Sequence, residues 1–254
     1  VVLAAVGAAF LVAPVLALLV RAPWRALPSI VLHSGVLVAL RLSMETSTMA
    51  TLVAIVLGVP LAWILARKDF RGRKLLRALV IVPLVLPPVV GGVALLLAFG
   101  REGVFGRYLF DWTGLSLPFS TAAVVIAEAF VAMPFLVITV EGGLRSVDRR
   151  FESVAATLGA SPLTRFVRVT MPMIAPSLAA GALLCWARAL GEFGATVTFA
   201  GAFPGRTETM PVAVYFALET DPGSAIALSL ILLLISVVIL VALRDRWLRS
   251  GPIT

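Results

Sequence analysis

Glu152-Ser-Val-Ala-Ala-Thr-Leu-Gly159-Ala-Ser-Pro162, running on to Val169-Thr-Met-Pro172, is polar, glycine-containing and compatible with short helices. It lies between two long apolar segments. A chain that spends most of its length in apolar runs leaves few places where a soluble partner can take hold. A structured loop between two such runs is one of them. The stretch therefore predicts a membrane protein worked from outside the membrane.

The rest of the composition agrees. Of 254 residues, 61% are hydrophobic and 13% charged, with a mean hydropathy of +1.08. A soluble domain carries about 25% charged residues. Several runs approach or exceed the roughly 20 residues that a helix needs to cross about 30 Å of hydrocarbon. The fold class read from this is all-α: a polytopic integral membrane protein with one transmembrane domain over 1–254. Six spans are predicted at 1–20, 48–66, 78–99, 120–140, 173–193 and 222–243. The first begins without a basic region and reads as a retained helix rather than a cleaved signal.

Two regions break the pattern. The third span carries Pro83, Pro87, Pro88, Gly91 and Gly92, which predicts a kink or local unwinding. Freed backbone groups cannot face lipid, so the break must face protein or a wet cavity. It is either a packing kink or the lining of a pathway through the bundle, with Pro87 and Pro88 as the candidates. Residues 21–47 form an outer segment whose apolar part, Ile30 to Leu42, is interrupted by His33, Ser34, Gly35 and Arg41. That part is short for a span and is predicted to lie at the interface.

The net charge of +8 suggests nucleic acid in a soluble protein, but here the distribution of cations matters more. Fourteen of the 21 Lys and Arg residues fall on one side: those between Arg67 and Arg77, those between Arg145 and Arg168, and Arg244, Arg246 and Arg249 in the tail. Six fall on the other side, and Arg188 lies within a span. The positive-inside rule then places both termini, and the loop at about 145–172, in the cytoplasm. No nucleic-acid partner is implied. Cys185 and His33 are single, so an intrachain disulfide and a Cys/His metal cluster are both excluded. Cys185 reads as a small buried side chain and His33 as an interfacial residue.

No phosphate-binding G-x-x-x-x-G-K-[ST] loop is present, so the chain is not expected to bind and split ATP itself. A nucleophile-elbow serine and an H-E-x-x-H helix are also lacking. The loop itself reads in physical terms. Phe151 to Leu158 suits a short helix that Gly159 can end, and Ser161-Pro162 suits the start of a second. Ala155, Ala156, Gly159 and Ala160 offer a small-residue surface for another protein's side chains. The alternative is an amphipathic helix resting on the bilayer.

These residues resemble the EAA loop of membrane subunits of ATP-binding-cassette importers, E-A-A-x3-G-x9-I-x-L-P. Aligned on Gly159, the chain supplies Ser153, Val154 and Ala155, then Val169-Thr170-Met171-Pro172. The acidic residue stands one place early, at Glu152. Arg188-Ala-Leu-Gly-Glu-Phe-Gly-Ala-Thr196, followed by Phe199-Ala-Gly201, resembles the fifth-helix signature of molybdate and sulfate permeases. Pro83-Leu-Val-Leu-Pro-Pro-Val-Val-Gly91 is similar to their third helix, and Gly205 to Pro211 to the molybdate branch.

Arg188 and Glu192 lie near the outer end of the fifth span, four residues apart. Ionisable residues at membrane depth usually face the bundle interior or a wet cavity. Arg188 either attracts an oxyanion, with Glu192 holding it and weakening its grip, or the two form a structural pair. Thr196 and Thr198 are further candidate lining hydroxyls. The small pairs Ser177/Gly181 and Gly191/Ala195, taken as lying on one helix, permit close contact.

The resemblance implies the transport subunit of an importer for a tetrahedral oxyanion, molybdate or tungstate, in the cytoplasmic membrane of a prokaryote. It implies a homodimer, an extracytoplasmic oxyanion-binding protein and two cytoplasmic ATPase subunits. Those ATPases would engage Glu152, Ser153, Ala155, Ala156, Gly159, Ala160, Ser161 and Pro162. ATP and Mg would sit on the ATPases and no cofactor on this chain. Sulfate or thiosulfate import is the alternative within the resemblance. An independent secondary transporter or channel is the alternative outside it.

Overall fold

A computed structural model describes residues 2–248. Arg249, counted among the tail cations, lies outside the described residues. Every regular element among them is helical. Five helices are long and apolar enough to cross a membrane, and a bent pair makes a sixth. The spanning elements are α1 (Val2–Arg21), α3 (Ser34–Arg67), α7 (Thr121–Ser146) and α13 (Pro222–Leu248), with a run from Pro162 to Leu190. That run comprises α9 (Pro162–Arg165), a π-turn (Phe166–Thr170) and α10 (Met171–Leu190). The bent pair is α4 (Arg73–Val85) and α5 (Pro88–Phe99). Short helices fill the connections: α2 (Leu27–Val31), α6 (Gly106–Thr113), α8 (Arg150–Thr157), α11 (Gly194–Ala200) and α12 (Met210–Thr220).

The long α3 corrects the expectation for residues 21–47. From Ser34 onward the supposed interfacial stretch is the first part of the second spanning helix. Its 34 residues reach about 51 Å at roughly 1.5 Å per residue, well beyond the hydrocarbon thickness. His33 begins it as N-cap, its Nδ1 accepting the Gly35 amide at 3.3 Å. Hydropathy hid this continuity because Ser43, Thr46, Ser47 and Thr51 interrupt the apolar run. In the structure Ser47 bonds the Met44 carbonyl of its own helix at 3.3 Å and Thr51 the Ser47 carbonyl at 2.8 Å, while Thr46 donates to Glu128 and Ser43 accepts the Met210 amide. Buried hydroxyls satisfied in this way do not end a helix.

The core is built on α7, which packs against α3 on one side and α10 on the other. Lipid tails are as apolar as leucine, so helices in a bilayer associate through close packing of small residues. A Cβ on Gly58 of α3 would stand 2.9 Å from the Leu136 side chain of α7, and one on Gly181 of α10 would stand 3.3 Å from the Leu136 backbone. At one end of the bundle Glu141 of α7 is shared between Arg77 of α4 and Arg145, the latter at 2.7 Å. At the other end Asp221 caps α13 by accepting the Gly223 amide at 3.1 Å. A bond from the Ser224 hydroxyl holds the Asp221 carboxyl below its ordinary range.

The third predicted span is more than kinked. Its two halves are bent by 118° at Leu86-Pro87. Leu86 and Pro87 each precede a proline, which disfavours helical ψ, and both are extended, with ψ of 132° and 133°. Neither half alone crosses the hydrocarbon: 13 and 12 residues reach only about 18–20 Å. The second half is held by glycine. A Cβ on Gly92 of α5 would meet the Thr198 Cβ at 2.6 Å and the Ala195 carbonyl at 2.9 Å, both on α11.

Gly92→Ala is therefore expected to force α5 and α11 apart and to cost about 1–3 kcal/mol. The loss should show as earlier unfolding in detergent, followed by size-exclusion recovery after heating. Gly142→Ala, with nothing within 4 Å of the added carbon, should unfold as the parent does.

Candidate functional site

The loop of the opening stretch folds as its sequence predicts. Its first helix, α8, ends in a Schellman motif: the Gly159 amide bonds the Ala156 carbonyl at 3.0 Å, and the Ala160 amide bonds the Ala155 carbonyl at 3.0 Å. Gly159 has φ of +84° and nothing within 4 Å of the position of a Cβ. Its role is conformational, since an L-residue in that region clashes with its own backbone. Ser161 then caps α9, its Oγ accepting the Thr164 amide at 3.2 Å, with Pro162 in the first turn.

Glu152, the acidic residue one place out of register, turns inward. Its Oε1 accepts Arg67 Nη2 at 3.0 Å and the Thr170 hydroxyl at 3.0 Å. Arg67 is the last residue of α3 and Thr170 the last of the π-turn, so one carboxylate ties α8 to two other elements. Ser153, in the register position, is exposed and donates to the Arg149 carbonyl at 3.2 Å. Ala156 is exposed, and Ala155 and Ala160 are half-buried. The loop also presents large apolar side chains that the small-residue reading missed. Leu158 is 82% and Leu163 73% exposed, with Phe151 and Val154 beside Leu158 in sequence. Two leucines in a polar loop were the available signal.

The second group of predicted residues lies at and just beyond the far end of α10. Gly191 ends α10, so Glu192 is in the junction before α11 and Ala195 is on the next helix. The Gly191/Ala195 pair therefore does not share a helix, contrary to expectation. The ionic contact survives the break: Arg188 Nη2 and Glu192 Oε2 are 2.6 Å apart. Glu192 Oε1 accepts the Ala195 amide at 2.9 Å, satisfying a first-turn donor of α11. Glu192 is enclosed at 1% exposure, whereas the Arg188 side chain keeps 29%. The pair thus links the last turn of α10 to the junction before α11, and part of the Arg188 side chain remains accessible.

The other candidates divide. Thr196 is buried, with a hydroxyl that has no partner among the described residues. Thr198 uses its hydroxyl on the Gly194 carbonyl at 2.8 Å. Pro87 and Pro88 are exposed at the bend. Pro88 reaches α11, where a Cβ on Gly194 would stand 2.8 Å from the proline ring. The bend thus brings the proline pair and the α11 threonines into one neighbourhood, while the loop lies at the opposite end of α10.

Glu128 is the residue that sequence reasoning missed. It is 1% exposed within α7; its Oε1 accepts the Thr46 hydroxyl of α3 at 3.0 Å, and its Oε2 has no partner among the described residues. As the single ionisable residue of the run 121–140, it could have been found from that alone. Ser43 was missed too; its Oγ accepts the Met210 amide at 2.7 Å and fastens the start of α12 to α3.

Comparison with known proteins shows the family. Residues 54–250 match the family described as the binding-protein-dependent transport system inner membrane component. The Molybdenum transport system permease protein ModB of Mycobacterium tuberculosis is 46% identical over 240 residues, covering 94% of this chain and 90% of that protein. The protein of the same name from Escherichia coli is 39% identical over 210 residues, covering 83% and 92%. Among solved structures, a bacterial ABC transporter involved in the import of the acidic polysaccharide alginate superposes with a TM-score of 0.69 at 14% identity, covering 88% of this chain and 82% of that one. That likeness concerns the fold alone.

The Arg188–Glu192 geometry makes a prediction in the form of a double-mutant cycle. Arg188→Ala leaves an enclosed carboxylate uncompensated and should cost about 3–5 kcal/mol of stability. Adding Glu192→Gln removes the buried charge, so the double variant should regain part of that loss. Additive losses in thermal unfolding would show that the pair is not coupled.

Proposed function

The chain belongs to the family of binding-protein-dependent transport system inner membrane components, and we propose that it is the membrane-spanning subunit of an importer for a tetrahedral oxyanion, molybdate or the near-isosteric tungstate. It is a multi-pass transport subunit and not an enzyme. The substrate reading rests on one observation: near-full-length similarity to two molybdenum permeases at 46% and 39% identity.

In this reading two copies of the chain enclose the path, and an extracytoplasmic binding protein delivers the anion. Two cytoplasmic ATPase subunits carry ATP and Mg and dock on the loop, whose exposed Leu158 and Leu163 supply apolar anchors around the small surface of Ala155, Ala156 and Ala160. The cation distribution supports placing this loop and both termini in the cytoplasm. Because Glu152 ties the loop to α3 and to the π-turn leading into α10, a force applied to α8 passes into two spanning helices rather than bending the loop. That is the physical requirement for coupling: one element with two positions that both the nucleotide state and the helix arrangement bias. At the outer end, an Arg188 already held by Glu192 would attract a dianion weakly, which suits a path the ion must leave.

Two measurements bear on this. Uptake of labelled molybdate by cells carrying the complete transporter should be suppressed by excess tungstate and little affected by sulfate; strong sulfate competition would move the substrate to sulfate. Gly159→Val should uncouple ATP hydrolysis from uptake, because a β-branched residue is strained at φ of +84°, whereas Gly159→Asn should retain most uptake. Equal loss in both variants would assign Gly159 to direct packing against the ATPase instead.

A further inference from the structure

At the base of the loop is a pocket of about 340 Å³ whose chemistry the coupling role leaves unused. Arg67, Lys68, Arg149 and Arg165 line it, against one carboxylate, Glu152, which already accepts from Arg67. Among the described residues, Lys68, Arg149 and Arg165 make no ion pair. The Arg67 side chain is 7% exposed, yet its Nε has no acceptor, and the enclosed Nε of Arg165 also has none. Four cations against one carboxylate around one cavity suit an anion with several acceptor oxygens.

The surroundings indicate which anion. Trp63 and Phe166, also in the wall, meet edge to face at 6.5 Å, and Lys68 Nζ lies 5.6 Å over the Trp63 ring. Trp63 is one turn from the end of a spanning helix. Aromatic rings and cations together at that level mark headgroup depth. A basic pocket between helices on the cytoplasmic side suits an acidic lipid.

We propose that this pocket binds a phosphate-class anion and that its occupant in the membrane is the headgroup of an anionic phospholipid. Such a headgroup would lie between the end of α3 and the α8–π-turn unit, beside the Glu152 contact, and tie the loop to the bilayer surface at the point where force enters the bundle. Only the assignment to the inner leaflet rests on the proposed topology; the anion site itself does not depend on the transported substrate.

The test is lipid retention by the intact transporter in native mass spectrometry, with phosphatidylglycerol and phosphatidylcholine supplied in parallel. Phosphatidylglycerol should be retained in preference, and Arg149→Gln/Arg165→Gln should weaken its binding by about tenfold or more. Arg149→Lys/Arg165→Lys should restore much of it, and Arg101→Gln/Arg107→Gln, outside the pocket, should leave it unchanged. Inorganic phosphate and molybdate are then added as free competitors. If either displaces the lipid and itself binds in a manner lost in the Gln variant, the anion site stands but the lipid is overturned as its occupant. Equal retention in parent and Gln variant, or no preference for phosphatidylglycerol together with no free-anion binding, overturns the proposal. Loss of lipid retention only when the ATPases are attached would assign the pocket to an acidic side chain of that partner and overturn it as well. Molybdate uptake, measured separately, can fail without touching any of these outcomes.

Discussion

The carboxylate of Glu152 joins the loop to the end of the bundle from which it projects. A loop helix on a membrane protein is of little mechanical use unless it is rigidly joined to helices that span. Glu152 makes that junction with one oxygen, which accepts from Arg67 at the end of α3 and from Thr170 at the start of the run into α10. Both acceptor contacts are part-buried, where a charge-assisted hydrogen bond is screened less than at the surface. Around that point the rest follows: the Schellman turn at Gly159 aims the second short helix, and Ser161 and Pro162 start it. The exposed Leu158 and Leu163 lie on either side of that turn.

The opposite end of the bundle solves a different problem. Prolines at 87 and 88 deny α4 and α5 a continuous backbone ladder, and the chain turns sharply instead of crossing straight. The turn is stable because glycines at 92 and 194 let α5 and α11 approach closely, and because Glu192 supplies a carboxylate to the first turn of α11. Ionisable groups are expensive here, and each is accounted for differently. Glu192 is paired, Arg188 is paired and partly open, and Glu128 has only the Thr46 hydroxyl on one oxygen. On α3, Thr46 thus faces α7 and Ser43 faces α12, while Arg41, Glu45 and Thr48 are exposed.

Much of this was legible beforehand because it depends on local chemistry. The apolar runs, the caps of the loop helices and the left-handed residue at Gly159 are decided by a few consecutive residues. The continuity of α3 was not legible, since hydropathy averages over both faces of a helix and Ser43, Thr46 and Ser47 lower it on the buried face alone. The extent of the bend at Pro87 was also hidden: the sequence predicts a break, but its angle is set by what α5 packs against. Glu152 looked like a register error in a familiar motif. Only its spatial partner, 85 residues away, shows that the displaced carboxylate points inward.

The sequence by itself determined that this chain is a bundle of membrane helices with a structured polar loop, and it determined the kinship that the resemblance expressed. Those properties follow from composition and short-range pattern. Tertiary structure alone decided which ends of the helices meet, which carboxylate is pinned and which guanidinium donors remain unsatisfied. Ion pairs such as Arg67–Glu152 join residues whose separation along the chain carries no periodic signal. Their geometry exists only once α3, α7 and α10 have packed.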